Sequence, residues 1–315
     1  MPCYSPITGY RSRFVNPSGK RSIVFSPSAG YVDQQVTVPC GRCTGCRLEY
    51  SRQWAVRCMH EAQMHESNSF LTLTYDNEHL PADYSIHKEE LQKFFKRLRK
   101  NTGVKFRYFA CGEYGEKNNR AHYHAIIFGY DFPDKQLWSK KNGNLLFTSD
   151  ELSKSWKLGY AVIGSVTFES CAYVARYVMK KRKGKDDYID PKTGKSNKEH
   201  YMIADKETGE IFHINPEFVL MSRNPGLGKD WYLHYKHDTD KDFITLRGVK
   251  HKIPKYYDNI LEQEDITALE QKKLQRRASA ERRKHDNTLE RLHVKKTVKE
   301  AQLNQLKRGY ENNET

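Results

Sequence analysis

Residues 105–130 read KFRYFACGEYGEKNNRAHYHAIIFGY. Two runs rich in aromatic and aliphatic residues, KFRYFAC at 105–111 and AHYHAIIFGY at 121–130, flank a segment of Gly, Asn and charged residues. Runs of that composition bounded by turn residues read as strands, and a short polar connection joins them as an antiparallel hairpin. Working outward, SFLTLTY at 69–75 alternates apolar residues with threonine and predicts a strand. Residues 86–100 place Leu91, Phe94, Phe95 and Leu98 on one face of a helix, with lysines opposite. AVIGSVTF at 161–168 predicts a further strand, running into a helix over 169–181. The order β-α-β-β-β-α between about 68 and 183 predicts an α+β fold, a mainly antiparallel sheet with helices packed on it.

The flanks differ in character. Residues 1–60 begin loop-rich, punctuated by Pro2, Pro6, Pro17, Pro27 and Pro39, and turn helical over 48–63, where Trp54, Val56 and Met59 fall at helical spacing. They read as a Cys-rich N-terminal segment preceding a separate domain at 61–185. Residues 186–255 read as an ordered extension with turns at 190–194 and 205–209. Residues 256–315 read as a charged helical tail: from 261 to 308 there is neither Pro nor Gly, and the leucines keep no clean heptad.

The chain of 315 residues carries 54 Lys and Arg against 39 Asp and Glu, a formal charge of +15. That excess favours a polyanionic partner, because each cation that neutralises a phosphate releases condensed counterions. No run of apolar residues is long enough to span a membrane. The opening Met1-Pro2-Cys3-Tyr4 does not read as a secretory signal, and seven cysteines, four of them within the first 46 residues, fit a reduced cytoplasm better than a disulfide framework.

Three constellations carry chemistry. His122 and His124, at i and i+2 of a strand, point to the same face and reach one metal ion. Thirteen histidines yield about half of one such triplet by chance, so the pair gains weight only from the buried AIIF run that follows. An anionic oxygen completes a site for Mg²⁺ or Mn²⁺. Glu113 is the choice because it ends the paired strand; Glu116, in the turn, is the alternative. Next, Tyr173 and Tyr177 stand one turn apart on one helix face. Lys180 follows after another turn, and Arg176, Lys181, Arg182 and Lys183 make that end of the helix basic, as a face meeting DNA phosphate requires. Two core aromatics would explain the tyrosines alone but not the basic run. A phenol attacking phosphorus needs a cation or metal nearby, because its free pKa is about 10. Third, Cys40-Gly-Arg-Cys43-Thr-Gly-Cys46 doubles C-x-x-C and supplies three thiolates of a tetrahedral Zn²⁺ site. Cys3 is the first candidate for the fourth ligand, Cys58 or His60 the next. Cys111 and Cys171 read as small buried apolar residues.

Four segments resemble one family, the HUH-type rolling-circle replication initiators, specifically those of the gokushovirus group of microviruses. FLTLTYDNEHLP at 70–81 is similar to the first family motif and GEYGEKNNRAHYHAIIFG at 112–129 to the metal motif, with Tyr123 as its middle residue. YVARYVMKK at 173–181 is similar to the twin-tyrosine motif, and VPCGRCTGCRLEYSRQWAVRC at 38–58 to the cysteine-rich stretch of the gokushovirus proteins. The resemblance implies origin nicking of the double-stranded replicative form, a 5′-phosphotyrosine link, a free 3′-hydroxyl for the host polymerase, and final circularisation in the bacterial host cytoplasm. It gives Tyr173 and Tyr177 the nucleophile roles and His122 and His124 the metal roles. No G-x-x-x-x-G-K-[ST] loop is present, so unwinding is expected from a host helicase. Two other readings compete: an HUH transposase or plasmid initiator, which the DNA sequence cut would separate, and a non-catalytic zinc-containing nucleic-acid-binding module, which would tolerate loss of both tyrosines.

Overall fold

The computed structural model describes residues 3–17, 19–115, 119–141, 143–177, 187, 189, 194–205 and 208–305. They group into two compact units, Met1–Tyr50 with Leu261–Lys307, and Ser51–Ile260.

The first unit opens with strands β1 (Ile7–Val15), β2 (Arg21–Val24) and β3 (Gly30–Val38), paired antiparallel in the order β2-β1-β3. Proline density predicts loops here, and the structure corrects that expectation. Pro6 and Pro17 bracket β1, Pro27 sits in a turn between β2 and β3, and Pro39 follows β3. Proline removes one ladder donor, so it is excluded from strand interiors but not from their ends. Helix α1 (Thr44–Gln63) then begins in the first unit and continues into the second.

The second unit is built on a seven-stranded sheet. Its elements in chain order are β4 (Asn68–Tyr75), α2 (Lys88–Thr102), β5 (Arg107–Tyr114), β6 (Ala121–Phe128), β7 (Gln136–Lys141), β8 (Asn144–Thr148), α3 (Asp150–Trp156), β9 (Gly159–Gly164), α4 (Phe168–Tyr177), α5 (Asn197–His200), β10 (Met202–Ala204), β11 (Ile211–His213), β12 (Phe218–Met221), α6 (Lys229–Tyr235), β13 (Phe243–Leu246), β14 (Val249–Lys252) and α7 (Lys255–Glu264). The strand order is β12-β5-β6-β4-β9-β8-β7, and every neighbouring pair is antiparallel. The chain is α+β, as its element order predicts. Helices α8 (Ile266–Arg282) and α9 (Leu289–Gln305) follow as a charged helical pair in the first unit.

Strand β6 lies inside the sheet, between β5 and β4, and all eight of its residues are buried. Alternation divides them between two cores. Tyr123, Ala125 and Ile127 face Leu71, Leu73 and Tyr75 of β4, the apolar face of α2 and Trp156 of α3. Ile126 and Phe128 face Phe70, Phe109, Cys111 and the residues Cys171, Tyr173 and Val174 of α4, with Ala55 and Cys58 of α1. A strand covered on both faces cannot slip by one residue without exchanging the two cores, so the direction of each odd and even side chain of β6 is fixed.

Candidate functional site

Two residues apart on β6, His122 and His124 share the face of Ile126 and Phe128. The hairpin register sets Glu113 of β5 directly opposite His122. All three side chains are buried, and their ligand atoms lie within 4.8 Å of one another. One carboxylate oxygen, Glu113 Oε1, stands 3.1 Å from His122 Nε2 and 2.8 Å from His124 Nε2. Donor atoms about 2.1 Å from an octahedral ion sit about 3 Å apart, so the spacing fits a divalent cation.

The other ring nitrogens are occupied. His122 Nδ1 donates to the Arg120 carbonyl at 3.0 Å, which turns Nε2 toward Glu113. His124 Nδ1 and Thr72 Oγ1 share a hydrogen bond at 3.1 Å. Outer partners of this kind orient metal-ligating imidazoles. Burial alone would push the Glu113 carboxyl up, but His122 and His124 outweigh it and hold its pKa down at about 2. The site therefore holds an ionised carboxylate between two imidazoles, and it can bind a metal ion.

Helix α4 packs on β5 and β6, over the histidine face. Ser51 Oγ of α1 donates to the Ala172 carbonyl at 2.9 Å and ties α4 to α1. Tyr173 is buried there with its ring centroid 5.0 Å from that of His124, edge to face. The Arg176 guanidinium lies 5.5 Å from the Tyr173 ring centre. The phenol-bearing helix and the imidazoles therefore occupy one side of the sheet. The backbone of Tyr177 ends α4; Lys180, Lys181, Arg182 and Lys183 lie outside the described residues, as does Glu116.

Residues 68–182 match the family described as replication-associated protein ORF2/G2P. The chain is 34% identical over 246 residues to replication-associated protein ORF2 of Spiroplasma virus 4, covering 72% of this chain and 68% of that protein. The chain belongs to the microvirus replication-associated protein family. It is also 33% identical over 230 residues to replication-associated protein VP4 of Bdellovibrio phage phiMH2K, and 32% identical over 234 residues to replication-associated protein ORF4 of Chlamydia phage 1. Those alignments cover 70% and 71% of this chain but 65% and 53% of the two relatives. No solved structure matches. The matched family segment takes in β4 to α4, and so contains every described residue of the triad and Tyr173.

The remaining candidates fall elsewhere. Cys3, Cys40, Cys43 and Cys46 form a second group able to hold a metal. Cys58 packs instead in the core with Cys111 and Cys171. His60 is buried, hydrogen-bonded through Nδ1 to the Tyr257 hydroxyl at 2.9 Å and stacked on Trp231 with centroids 3.4 Å apart. A cavity of about 710 Å³, lined by His60, Gln63, Trp231, Tyr235 and side chains between His237 and Leu246, shares none of the triad residues. No helix among the described residues is long and apolar enough to cross a membrane. Sequence reasoning assigned no role to Thr72, although its place opposite His124 in the β4–β6 register follows from the same alternation that pairs the histidines.

Burial, with a smaller push from His251, lowers the His60 pKa from 6.5 to about 3. The unfolded chain therefore binds this proton below pH 6.5 and the folded chain does not, so stability falls as pH drops through that window. Between pH 7 and pH 5 this residue alone is expected to lower the unfolding free energy by about 2 kcal/mol. Urea unfolding of the parent chain and of His60→Gln at both pH values checks it; an equal pH dependence in the two proteins counts against the assignment.

Proposed function

We propose that this chain initiates rolling-circle replication by nicking the viral origin and attaching itself to the 5′ end through a tyrosine. The observation that carries the reading is the buried Glu113–His122–His124 cluster on the same sheet face as Tyr173. Glu113, His122 and His124 would hold Mg²⁺ or Mn²⁺, whose chemistry when bound is to polarise the scissile phosphate and offset charge developing in the transition state.

The chain's own residues supply the rest. A phenol oxygen of Tyr173 or Tyr177 attacks phosphorus in line; the bond to the 3′-oxygen breaks and that oxygen leaves as a hydroxyl after taking a proton. Lys180, three residues beyond Tyr177 in the sequence, favours the phenolate, and Arg176, Lys181, Arg182 and Lys183 meet neighbouring phosphates. The phosphotyrosine conserves the energy of the broken diester, so a later attack by a 3′-hydroxyl reseals the strand into a circle without ATP. Two tyrosines allow one to hold an end while the other attacks the next junction. Polymerase and helicase come from the host, in whose cytoplasm the reaction takes place. Membership of a phage replication-associated family and the charge of +15 support this reading.

The test is incubation of the chain with a labelled origin oligonucleotide and Mn²⁺, followed by a denaturing gel. A covalent protein–DNA band is expected from the parent and from at least one of Tyr173→Phe and Tyr177→Phe, and none from the double variant. No adduct under any divalent metal removes the enzyme reading and favours a non-catalytic zinc-containing binding module. An adduct formed only on DNA unrelated to a phage origin favours the transposase or plasmid-initiator reading.

A further inference from the structure

The first unit has almost no interior. Among its described residues the buried apolar side chains are Cys3, Leu269 and Leu292, while Ile7, Phe14, Val15, Ile23 and Val32 of its small sheet, and Phe25 just after β2, are exposed. Small units that bury so little need a covalent or metal staple to hold one conformation.

The four thiols supply one. Cys3 Sγ lies 3.7 Å from Cys40 Sγ and 4.0 Å from Cys43 Sγ, and all four sulfurs, with Cys46, lie within 4.8 Å of one another. Sulfurs bound at about 2.3 Å to one tetrahedral ion are about 3.8 Å apart, whereas a disulfide needs about 2.05 Å. All four cysteines are free. Backbone N–H groups already point at three sulfurs: Tyr4 to Cys43, Cys40 to Cys3, and Cys43 to Cys40, each at 3.3 Å. Such donors favour the thiolate form of a metal-bound sulfur.

The chain builds this cluster from three local devices. The β1–β3 register sets Ile7 opposite Val38, and the same register carried past the strand ends brings residue 3 against the 40–43 stretch. Gly41, at φ +73, takes the left-handed turn that lets Cys40 and Cys43 face one point. Cys46 sits in the first turn of α1, where the helix dipole favours negative charge.

We propose that Cys3, Cys40, Cys43 and Cys46 bind one structural Zn²⁺ as a closed tetrathiolate, and that this ion is what folds the first unit. Four protons leave the thiols on binding, and the centre carries a net charge of −2, with Arg42 and Arg47 adjacent in sequence. Four protein ligands leave no open position, so the role is structural and not hydrolytic.

The full-length chain, purified without chelator, is expected to contain one zinc per molecule by plasma mass spectrometry. The double variant Glu113→Gln, His122→Ala is expected to keep that zinc, which separates this centre from the triad. Cys43→Ser and Cys46→Ser are expected to lose it. In case those variants fail to fold, two measurements on the parent suffice. Mercurial titration of the thiols should release the zinc and render residues 1–50 rapidly cleavable by trypsin. Cobalt replacement should give thiolate-to-metal charge transfer and the intense visible bands of a tetrahedral site. Metal-free protein with unchanged resistance to trypsin overturns the proposal, as do disulfides among the four cysteines or iron in place of zinc.

Discussion

Replacing His122 or His124 with alanine is expected to lower origin cleavage by at least about 10³-fold while leaving salt-sensitive DNA binding intact. The expectation follows from how the triad is made. Each histidine places one Nε2 near a single carboxylate oxygen, at 3.1 and 2.8 Å, and each imidazole is fixed from behind through its Nδ1. Removing one imidazole leaves a carboxylate and one nitrogen for a cation that already keeps much of its water. Losing a single donor to a developing oxyanion costs roughly 10²–10³ in rate, and loss of the ion removes more than one such contact. Binding should survive, because neutral imidazoles neutralise no phosphate and the salt dependence of affinity counts only cations that do. Thr72→Val is a graded companion: it removes the partner of His124 Nδ1 without removing a ligand, and a loss of about 10- to 100-fold, relieved by raised Mn²⁺, is expected. Single-turnover cleavage alongside binding titrations at two salt concentrations measures both. Wild-type cleavage by either alanine variant would place the metal elsewhere.

Much of this geometry is legible in the chain because it depends on period-two alternation and little else. His122, His124 and the AIIF run lie on one strand, and GEYG ends the strand that must pair with it, so Glu113 falls opposite His122 once the hairpin is recognised. The helix at 88–102 and the strand at 68–75 are legible for the same reason, a clear apolar periodicity. The strands that escaped are the ones whose burial does not alternate. β7 exposes both Leu137 and Trp138, so no apolar stripe marks it; the signal in the sequence is the Asn-Gly dipeptide at 142–143 between two short runs. β12, only four residues long, joins the sheet edge beside β5 by backbone pairing that composition does not encode. In the N-terminal sheet the side chains are mostly exposed, so proline spacing was the loudest signal, and it marked where strands end and not that none exist. Cys3 is the sequence's first candidate for the fourth thiol, but what brings it to Cys40 and Cys43 is the β1–β3 register, which a loop reading of residues 1–47 does not supply.

The face of β6 opposite the histidines makes the second large prediction. Trp156 is fully buried, edge to face with Phe94 at 5.9 Å and Tyr123 at 5.6 Å and tilted against Tyr75 at 5.6 Å. Its Nε1 donates to the Thr74 carbonyl at 3.1 Å, so the indole fills the core and also satisfies a backbone acceptor. Trp156→Ala is expected to destabilise the second unit by about 3–5 kcal/mol, the range for deleting a buried aromatic and leaving its cavity. A domain stable by about 5–15 kcal/mol loses a large share of its margin by that change. Trp156→Phe, which keeps a ring but not the donor, should cost less and expose the separate contribution of the hydrogen bond, about 1–3 kcal/mol for an orphaned buried acceptor. The consequence reaches the chemistry, because Tyr123 stands between His122 and His124 and points to the opposite face. If its packing loosens, β6 loses the constraint that holds both imidazoles on Glu113, so cleavage per folded molecule should fall along with stability. Urea denaturation read by fluorescence, with cleavage rates corrected for the folded fraction, separates the two effects. A Trp156→Ala protein as stable as the parent would show that α3 is not part of the core that aims the site.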